Sequence, residues 1–436
     1  MIFADGMIYP SEEQDKILLS LEEKINRTRE RSRLPMEKVI RAFDRLCHEI
    51  ADGKWNDLLK KLTPQIPASV IDSVLPRMEQ KGLEYKVKIE LGEEYFQDQR
   101  MESPFDGKAL LSRAVPLGTL FHIAAGNMEA LPAYSIAEGL LTGNINILKL
   151  PQADQGLTVE IFHRLTEIEP LIAEYVYIFD TPSTDLPAIK KMAEMADAVV
   201  VWGGDEAVAS VRMLAKPGTK LIEWGHKLGF AYVSGYCDKD AELSALAEHI
   251  MDTKQLLCSS CQTIYLDTDD TKELGRFCRE FLPYLERAAE QYPVMEIGAV
   301  AEQTLRRHYR MLEKKMYGAS SNGRNERKLY QGKNCSLTAC NDSELELSGM
   351  YGNCLVKCLP RTELMTVLRR KKGYLQTAGL ICDPQKRGYL EELLIRCGVT
   401  RVMTAGHMSH SFCGEAHDGE YPLRKYTRII NIEEDI

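Results

Sequence analysis

Between residues 117 and 223 the chain alternates short, near-continuous apolar runs with stretches of helical period. The apolar runs fall at 117–123, 145–149, 175–179, 198–202 and 220–223, and the helical patterns at 130–141, 157–168, 184–195 and 205–214. Strands that are apolar at every position are buried on both faces, and strand–helix alternation builds a parallel sheet covered by helices. Before this region, residues 11–80 read as several short helices, with breakers at Pro64 and Pro67. The segment Tyr85-Lys-Val87-Lys-Ile89-Glu-Leu91 alternates strictly, which predicts a half-buried strand at a sheet edge or subunit contact. After about Cys237 a second α/β unit is expected, with helices near 271–289 and 296–312 and a polar loop at 319–331. A last short strand is expected at 426–432. The organisation read from this pattern is a helical lead with an edge strand (1–100), two α/β domains (101–236 and 237–425) and a terminal strand (426–436).

Ligands of parallel sheets bind at the carboxyl ends of the strands, so the residues there narrow the chemistry. The first run exits into Ile-Ala-Ala-Gly126-Asn127, the second into Lys149-Leu-Pro151-Gln152, and the fourth into Trp202-Gly203-Gly204-Asp205. A glycine turn that opens a helix offers free backbone N–H groups and the positive end of the dipole, which suit a phosphate. The chain has no Gly-x-Gly-x-x-Gly fingerprint. The fifth run ends in Glu223-Trp-Gly225-His-Lys227, a carboxylate placed before a glycine. Downstream, Gln255-Leu-Leu-Cys258-Ser-Ser-Cys261-Gln262 leads straight into Thr263-Ile-Tyr-Leu. A cysteine in a short polar turn before a strand can act as a nucleophile if a base or a positive environment favours its thiolate.

Composition removes several classes. With 55 basic and 64 acidic residues among 436, the net charge is −9 and no long single-sign block occurs. Nucleic acid is therefore not expected as a partner, because phosphate-backbone binding wants a basic stripe. The start lacks the basic and apolar regions of a signal peptide, and no apolar run is long enough to span a bilayer. The 12 cysteines are expected to be reduced thiols in a cytoplasmic protein. Cys258 and Cys261 could also form a redox dithiol or half a zinc site. The strand-like run that follows them, in place of a helix, favours the nucleophile. Cys335, Cys340, Cys354 and Cys358 are spaced more widely than tight zinc knuckles, and His407, His410, Cys413 and His417 read as a Gly- and Ser-rich loop rimming the substrate cleft, so no metal is expected.

These motifs, in this order, resemble the aldehyde dehydrogenase superfamily, and most closely its LuxC-like branch of long-chain acyl-CoA reductases, which belong to bacterial luminescence systems. The resemblance runs from about Arg113 to Leu266 and continues more weakly to the end. It implies a Rossmann-type dinucleotide domain (101–236) and a catalytic domain (237–425) that presents Cys258 at the crevice between them. By this resemblance Cys258 is the nucleophile, Glu223 the general base, and Asn127 the side-chain amide of the oxyanion hole. Lys149 meets the adenosine ribose, Gly203 and Gly204 hold the pyrophosphate, and Gly225 follows the base in its motif. Gln152 stands where many NAD-dependent members carry a glutamate that repels a 2′-phosphate, which is compatible with NADP(H).

The activity implied is NADPH-dependent reduction of a fatty acyl thioester to the aldehyde through an S-acyl cysteine, with NADH as the alternative reductant. The acyl donor is a fatty acyl-CoA or acyl-protein, an acyl-protein synthetase is the implied partner, and a homo-oligomer is expected. Two rivals stand beside this reading. One is an NAD(P)-dependent aldehyde dehydrogenase or acyl-phosphate reductase of the same fold, and the other a non-catalytic dinucleotide-binding scaffold.

Overall fold

The computed structural model describes residues 1–31, 33–62, 74–126, 130–294, 297–317 and 327–433. The chain divides into two compact units, Met1–Gly225 with Phe412–Ile436, and His226–Ser411. The expected boundary near 236 thus falls at Gly225, and residues 1–100 and the terminal strand are not separate pieces.

In the first unit the apolar runs pair in parallel. The sheet order is Met7–Tyr9, Ile2–Ala4, Val176–Phe179, Ile145–Lys149, Thr119–Ile123, Ala198–Trp202, Lys220–Trp224. The chain winds outward from Thr119–Ile123 on one side, then returns to its other side for Ala198–Trp202. That reversal is the topological switch point, beside which ligands of such sheets bind. The N-terminal hairpin closes one edge, pairing antiparallel with itself and with Val176–Phe179. Its turn, Asp5-Gly6, has positive φ at both residues, the geometry that Asp-Gly adopts in two-residue hairpins.

The helices Gln14–Arg29 and Met36–Ala51 share one core with the sheet. Ile17, Leu21, Val39 and Phe43 are buried with Ile147, Phe162 and Ile178. Phe43 meets Phe162 edge-on at 6.5 Å, and Arg164 forks Glu49 at 2.7 and 2.8 Å. The early helices therefore pack on this sheet.

The segment expected as a strand at 85–91 is instead part of a helix, Gln80–Leu91. Its alternation misled because the buried side chains include the charged ones. Lys86 and Glu90 sit one turn apart on the inner face and pair with each other, and Lys86 also reaches Glu138 at 3.0 Å. Tyr85 and Ile89 stay exposed. The antiparallel edge lies elsewhere, in a three-stranded sheet of order Thr427–Glu433, Ala109–Pro116, Gln99–Glu102.

The second unit has a sheet of order Arg327–Gln331, Ser336–Cys340, Asn353–Cys358, Cys261–Leu266, Leu228–Ser234, Leu375–Cys382, Arg401–Thr404. All pairs are parallel except the first. Apolar clusters cover both faces, one around Phe277 and Phe281, the other around Phe230 and Leu390. Among the described residues no helix is long and apolar enough to cross a membrane.

Candidate active site

Cys258 lies in a turn between the helix Lys239–Asp252 and the strand Cys261–Leu266, with its side chain exposed. Lys254 and Gln255 reverse the chain with left-handed φ of 50° and 61°. Ser260 closes the turn, its N–H donating to Leu257 O at 3.0 Å and its hydroxyl accepting from Leu257 N at 3.1 Å.

Two buried glutamines then hold this turn from beneath. Gln255 donates to Cys261 O at 2.8 Å and accepts from Gly352 N at 3.1 Å. Gln262 donates to Gln255 O at 2.8 Å and accepts from the Ser348 hydroxyl at 2.7 Å. A buried amide with both ends bonded fixes the loop it touches.

Gly229 is the seat of this arrangement. It pairs with Cys261 while Phe230 pairs with Thr263, so Gln262 is an extra residue on that neighbour. On the other side Leu228 pairs with Leu375 but Phe230 with Ala378, so Gln376 and Thr377 together face Gly229. Bulges of this kind re-aim side chains, and here Gln376 Nε2 points at Cys258 Sγ from 3.3 Å. A Cβ on Gly229 would stand 2.5 Å from Ser260 O and 2.8 Å from Ser259 O. Gly229→Ala is therefore expected to displace the cysteine turn and lower turnover by about 100-fold, the usual cost of a misplacement near 1 Å. Steady-state kinetics beside a thermal melt check this, with the melting temperature changing far less than the rate.

All but one of the remaining cysteines are less exposed than Cys258. Cys261 is buried in its strand, and burial pushes the thiols of Cys340 and Cys358 up to about 11 and that of Cys278 to about 12. Cys237 is exposed and Cys413 half-buried. All twelve are free thiols, and among the described residues no group of three or more His, Cys, Asp or Glu could hold a metal. His407 and His410 stack at 4.4 Å in a loop whose Ser409 hydroxyl meets that of Ser259 at 2.8 Å.

In the first unit the predicted cofactor residues gather at the carboxyl edge of the sheet. Lys149 ends its strand buried, donating to the Ser183 hydroxyl at 3.0 Å, and desolvation lowers its pKa. Gln152 is exposed in the following turn. Gly126 packs where a Cβ would press on Ala153 and Pro151, at 3.0 and 3.3 Å.

Gly204 caps the helix Asp205–Leu214 in extended conformation, and a Cβ there would meet open space. Backbone N–H groups at that exposed helix start suit a pyrophosphate, so the switch-point edge fits a dinucleotide. Gly203 N donates to Trp224 O at 3.2 Å, joining this turn to the segment that ends at Gly225.

Glu223 sits at the end of the neighbouring strand, where the Arg212 guanidinium forks its carboxylate, with Nη2 to Oε2 at 2.6 Å. Beside it Trp202 and Trp224 stack at 5.4 Å, and His417 packs against both rings. His417 is presented by the two-residue turn Asp418-Gly419, both with positive φ. Behind them His122 links Ser135 and Asn146 at 2.7 and 3.0 Å, and burial lowers its pKa to about 4, which keeps it neutral. Asn127 and most of the loop expected at 319–331 lie outside the described residues.

Sequence reasoning singled out Cys258 but not its support. Gln255 and Gln262 flank the cysteine at short range and could have been read as loop anchors. Gln376 could not, because only the bulged pairing brings it near.

Comparison with known proteins agrees with this architecture. Staphylococcus aureus betaine aldehyde dehydrogenase superposes with a TM-score of 0.71, at 13% identity over 99% of this chain and 91% of that one. The Methanocaldococcus jannaschii glyceraldehyde-3-phosphate dehydrogenase, solved with NADP, gives 0.69 at 15% identity over 98% and 95%. At that identity the likeness establishes the aldehyde-dehydrogenase-like fold.

In sequence, the long-chain acyl-protein thioester reductase of Photorhabdus luminescens is 23% identical over 81% of this chain and 70% of its own length. The second such reductase of Photobacterium leiognathi is also 23% identical, over 74% and 65%. The matched stretch thus spans about two thirds of these relatives. The family model described as acyl-CoA reductase (LuxC) matches residues 32–429, and the chain belongs to that family.

Proposed function

We propose that this protein reduces a fatty acyl thioester to the aldehyde through an S-acyl intermediate on Cys258, with NADPH as reductant. The observation that carries the reading is the exposed Cys258 thiol, braced from below and faced by a side-chain amide at 3.3 Å. The Cys258 thiolate attacks the acyl carbonyl carbon, and the bond to the donor sulfur breaks, releasing CoA or a carrier thiol. Asn127 and the Cys258 backbone N–H are assigned to the developing oxyanion, about 3–4 kcal/mol per donor in comparable sites. Lys149, Gln152, Gly203, Gly204 and Gly225 are assigned to the dinucleotide, which when bound supplies the hydride for the acyl carbon. Cys258 is regenerated as the aldehyde leaves.

Two features bear on the finer choices. Gln152 brings no negative charge toward a 2′-phosphate, which supports NADPH over NADH. The relatives' names point to a protein-bound acyl donor, and hence to a synthetase that loads it. Exposed Ile429 and Ile432 on the edge strand Thr427–Glu433 support a homo-oligomer.

This route uses no water, so a base for hydrolysis is not required. Glu223, held by Arg212, is assigned only to the Cys258 proton. Glu223→Gln is then expected to slow aldehyde formation by less than about tenfold, against the roughly 10²–10⁴ lost with a true general base. A larger loss, together with water-dependent oxidation of an aldehyde, would favour the aldehyde dehydrogenase reading. The direct test follows aldehyde release from tetradecanoyl-CoA and from a tetradecanoyl-protein thioester, each with NADPH and with NADH. Aldehyde from either donor, faster with NADPH, is the expected result; none from either overturns the proposal.

A further inference from the structure

We propose that Gln376 is a catalytic residue, its side-chain amide acting as the hydrogen-bond donor that stabilises the Cys258 thiolate. The inference rests on Cys258 being the reacting thiol and assigns that sulfur a partner that its own motif does not contain. Gln376 Nε2 lies 3.3 Å from Cys258 Sγ, a normal distance for an N–H donor to sulfur. An amide N–H is a donor only, so it favours the charged form of the sulfur over the neutral thiol, which needs no donor.

Several features fix the amide in that orientation. The Thr377 hydroxyl donates to Gln376 Oε1 at 3.3 Å, holding one end of the amide while Nε2 faces the sulfur. The Gln376 backbone carbonyl accepts from both Thr400 N and Thr400 Oγ1 at 3.2 Å, pinning the residue at the edge of its strand. The bulge places Gln376 and Thr377 opposite the single residue Gly229, on whose other side Gln262 is bulged as well. Gln376 is itself buried, so its amide keeps its geometry while the thiol it faces is exposed. A polar side chain held in place beneath an accessible sulfur needs no reorganisation when the charge forms, which is the economy of a preorganised site.

The test is the pH dependence of iodoacetamide alkylation at Cys258, followed by mass spectrometry of its peptide, in the full chain and in Gln376→Leu and Gln376→Glu. Alkylation reports the thiolate whether or not the protein turns over a thioester. Gln376→Leu is expected to raise the midpoint by about one pH unit and to slow alkylation at pH 7 by about tenfold, with the high-pH plateau unchanged. Gln376→Glu, of the same shape but bearing a negative charge, is expected to raise the midpoint further, and it serves if the leucine variant does not fold. Midpoints equal to that of the parent chain in the folded variants overturn the proposal. A parallel incubation with tetradecanoyl-CoA separates the two readings. A midpoint shift without any acyl adduct on the parent chain would keep Gln376 as thiolate donor and remove the thioester function.

Discussion

Replacing Cys258 by alanine is expected to abolish aldehyde formation, by at least about 10⁴-fold in kcat, while leaving the melting temperature within about 2 °C. Removing the nucleophile of a covalent mechanism forfeits nearly all catalysis beyond substrate binding. The stability cost is small because the side chain is exposed in a turn whose bonds run through its neighbours, Gln255, Leu257, Ser260 and Gln262. Cys261→Ala, three residues on, is the contrasting control. It removes a buried thiol from the strand, costs some packing, and leaves the chemistry in place. Steady-state rates and thermal melts of both variants check the pair.

The second large effect concerns the fold of the first unit. Lys86→Met is expected to destabilise it by about 3–5 kcal/mol, a fall of roughly 10 °C in melting temperature for a body of this size. Lys86 is buried and compensates two carboxylates at once, Glu90 and Glu138. Glu90 is in turn the anchor of the chain's return, accepting from Leu423 N at 2.9 Å and, through its backbone carbonyl, from the Arg424 side chain. Burial already raises the Glu138 pKa with the lysine present; without the lysine's charge that carboxyl is pushed further up. A carboxyl whose folded pKa exceeds its unfolded value favours folding at low pH and loses that contribution as pH rises. The deficit of the variant should therefore be larger at pH 8 than at pH 5, and calorimetry at the two values reads it. A melting temperature unchanged at pH 8 would mean that the cluster contributes no net stability.

Where the hydrophobic pattern recorded burial, the fold was legible. The run at 198–202 is the strand Ala198–Trp202, the pattern at 205–214 is the helix Asp205–Leu214, and that at 157–168 is Leu157–Ile168. Central parallel strands are apolar throughout, so packing and sequence carry the same signal. The Tyr85–Leu91 stretch failed for the converse reason. Its helix buries Lys86 and Glu90 through a partner, Glu138, on another helix, which no local pattern displays. The N-terminal hairpin was within reach, since Asp5-Gly6 between Ile-Phe-Ala and Met-Ile-Tyr is a hairpin signal.

At the site, residues read from strand ends were found at strand ends: Lys149, Gly203, Gly204 and Glu223 all lie at the carboxyl edge of the first sheet. Gln376 was invisible, because its approach to Cys258 depends on a one-residue slip between strands far apart in sequence. The Arg212 fork on Glu223 was equally hidden, being a tertiary contact from helix to strand.

The measurement closest to the central claim is the intact mass of the protein, with peptide mapping, after mixing with tetradecanoyl-CoA, first alone and then with NADPH. The account predicts one tetradecanoyl group on Cys258, released as tetradecanal when NADPH is added, and no adduct on Cys258→Ala. An adduct that persists in Cys258→Ala, or a parent chain that takes up no acyl group from CoA or from an acyl-protein donor, would contradict it.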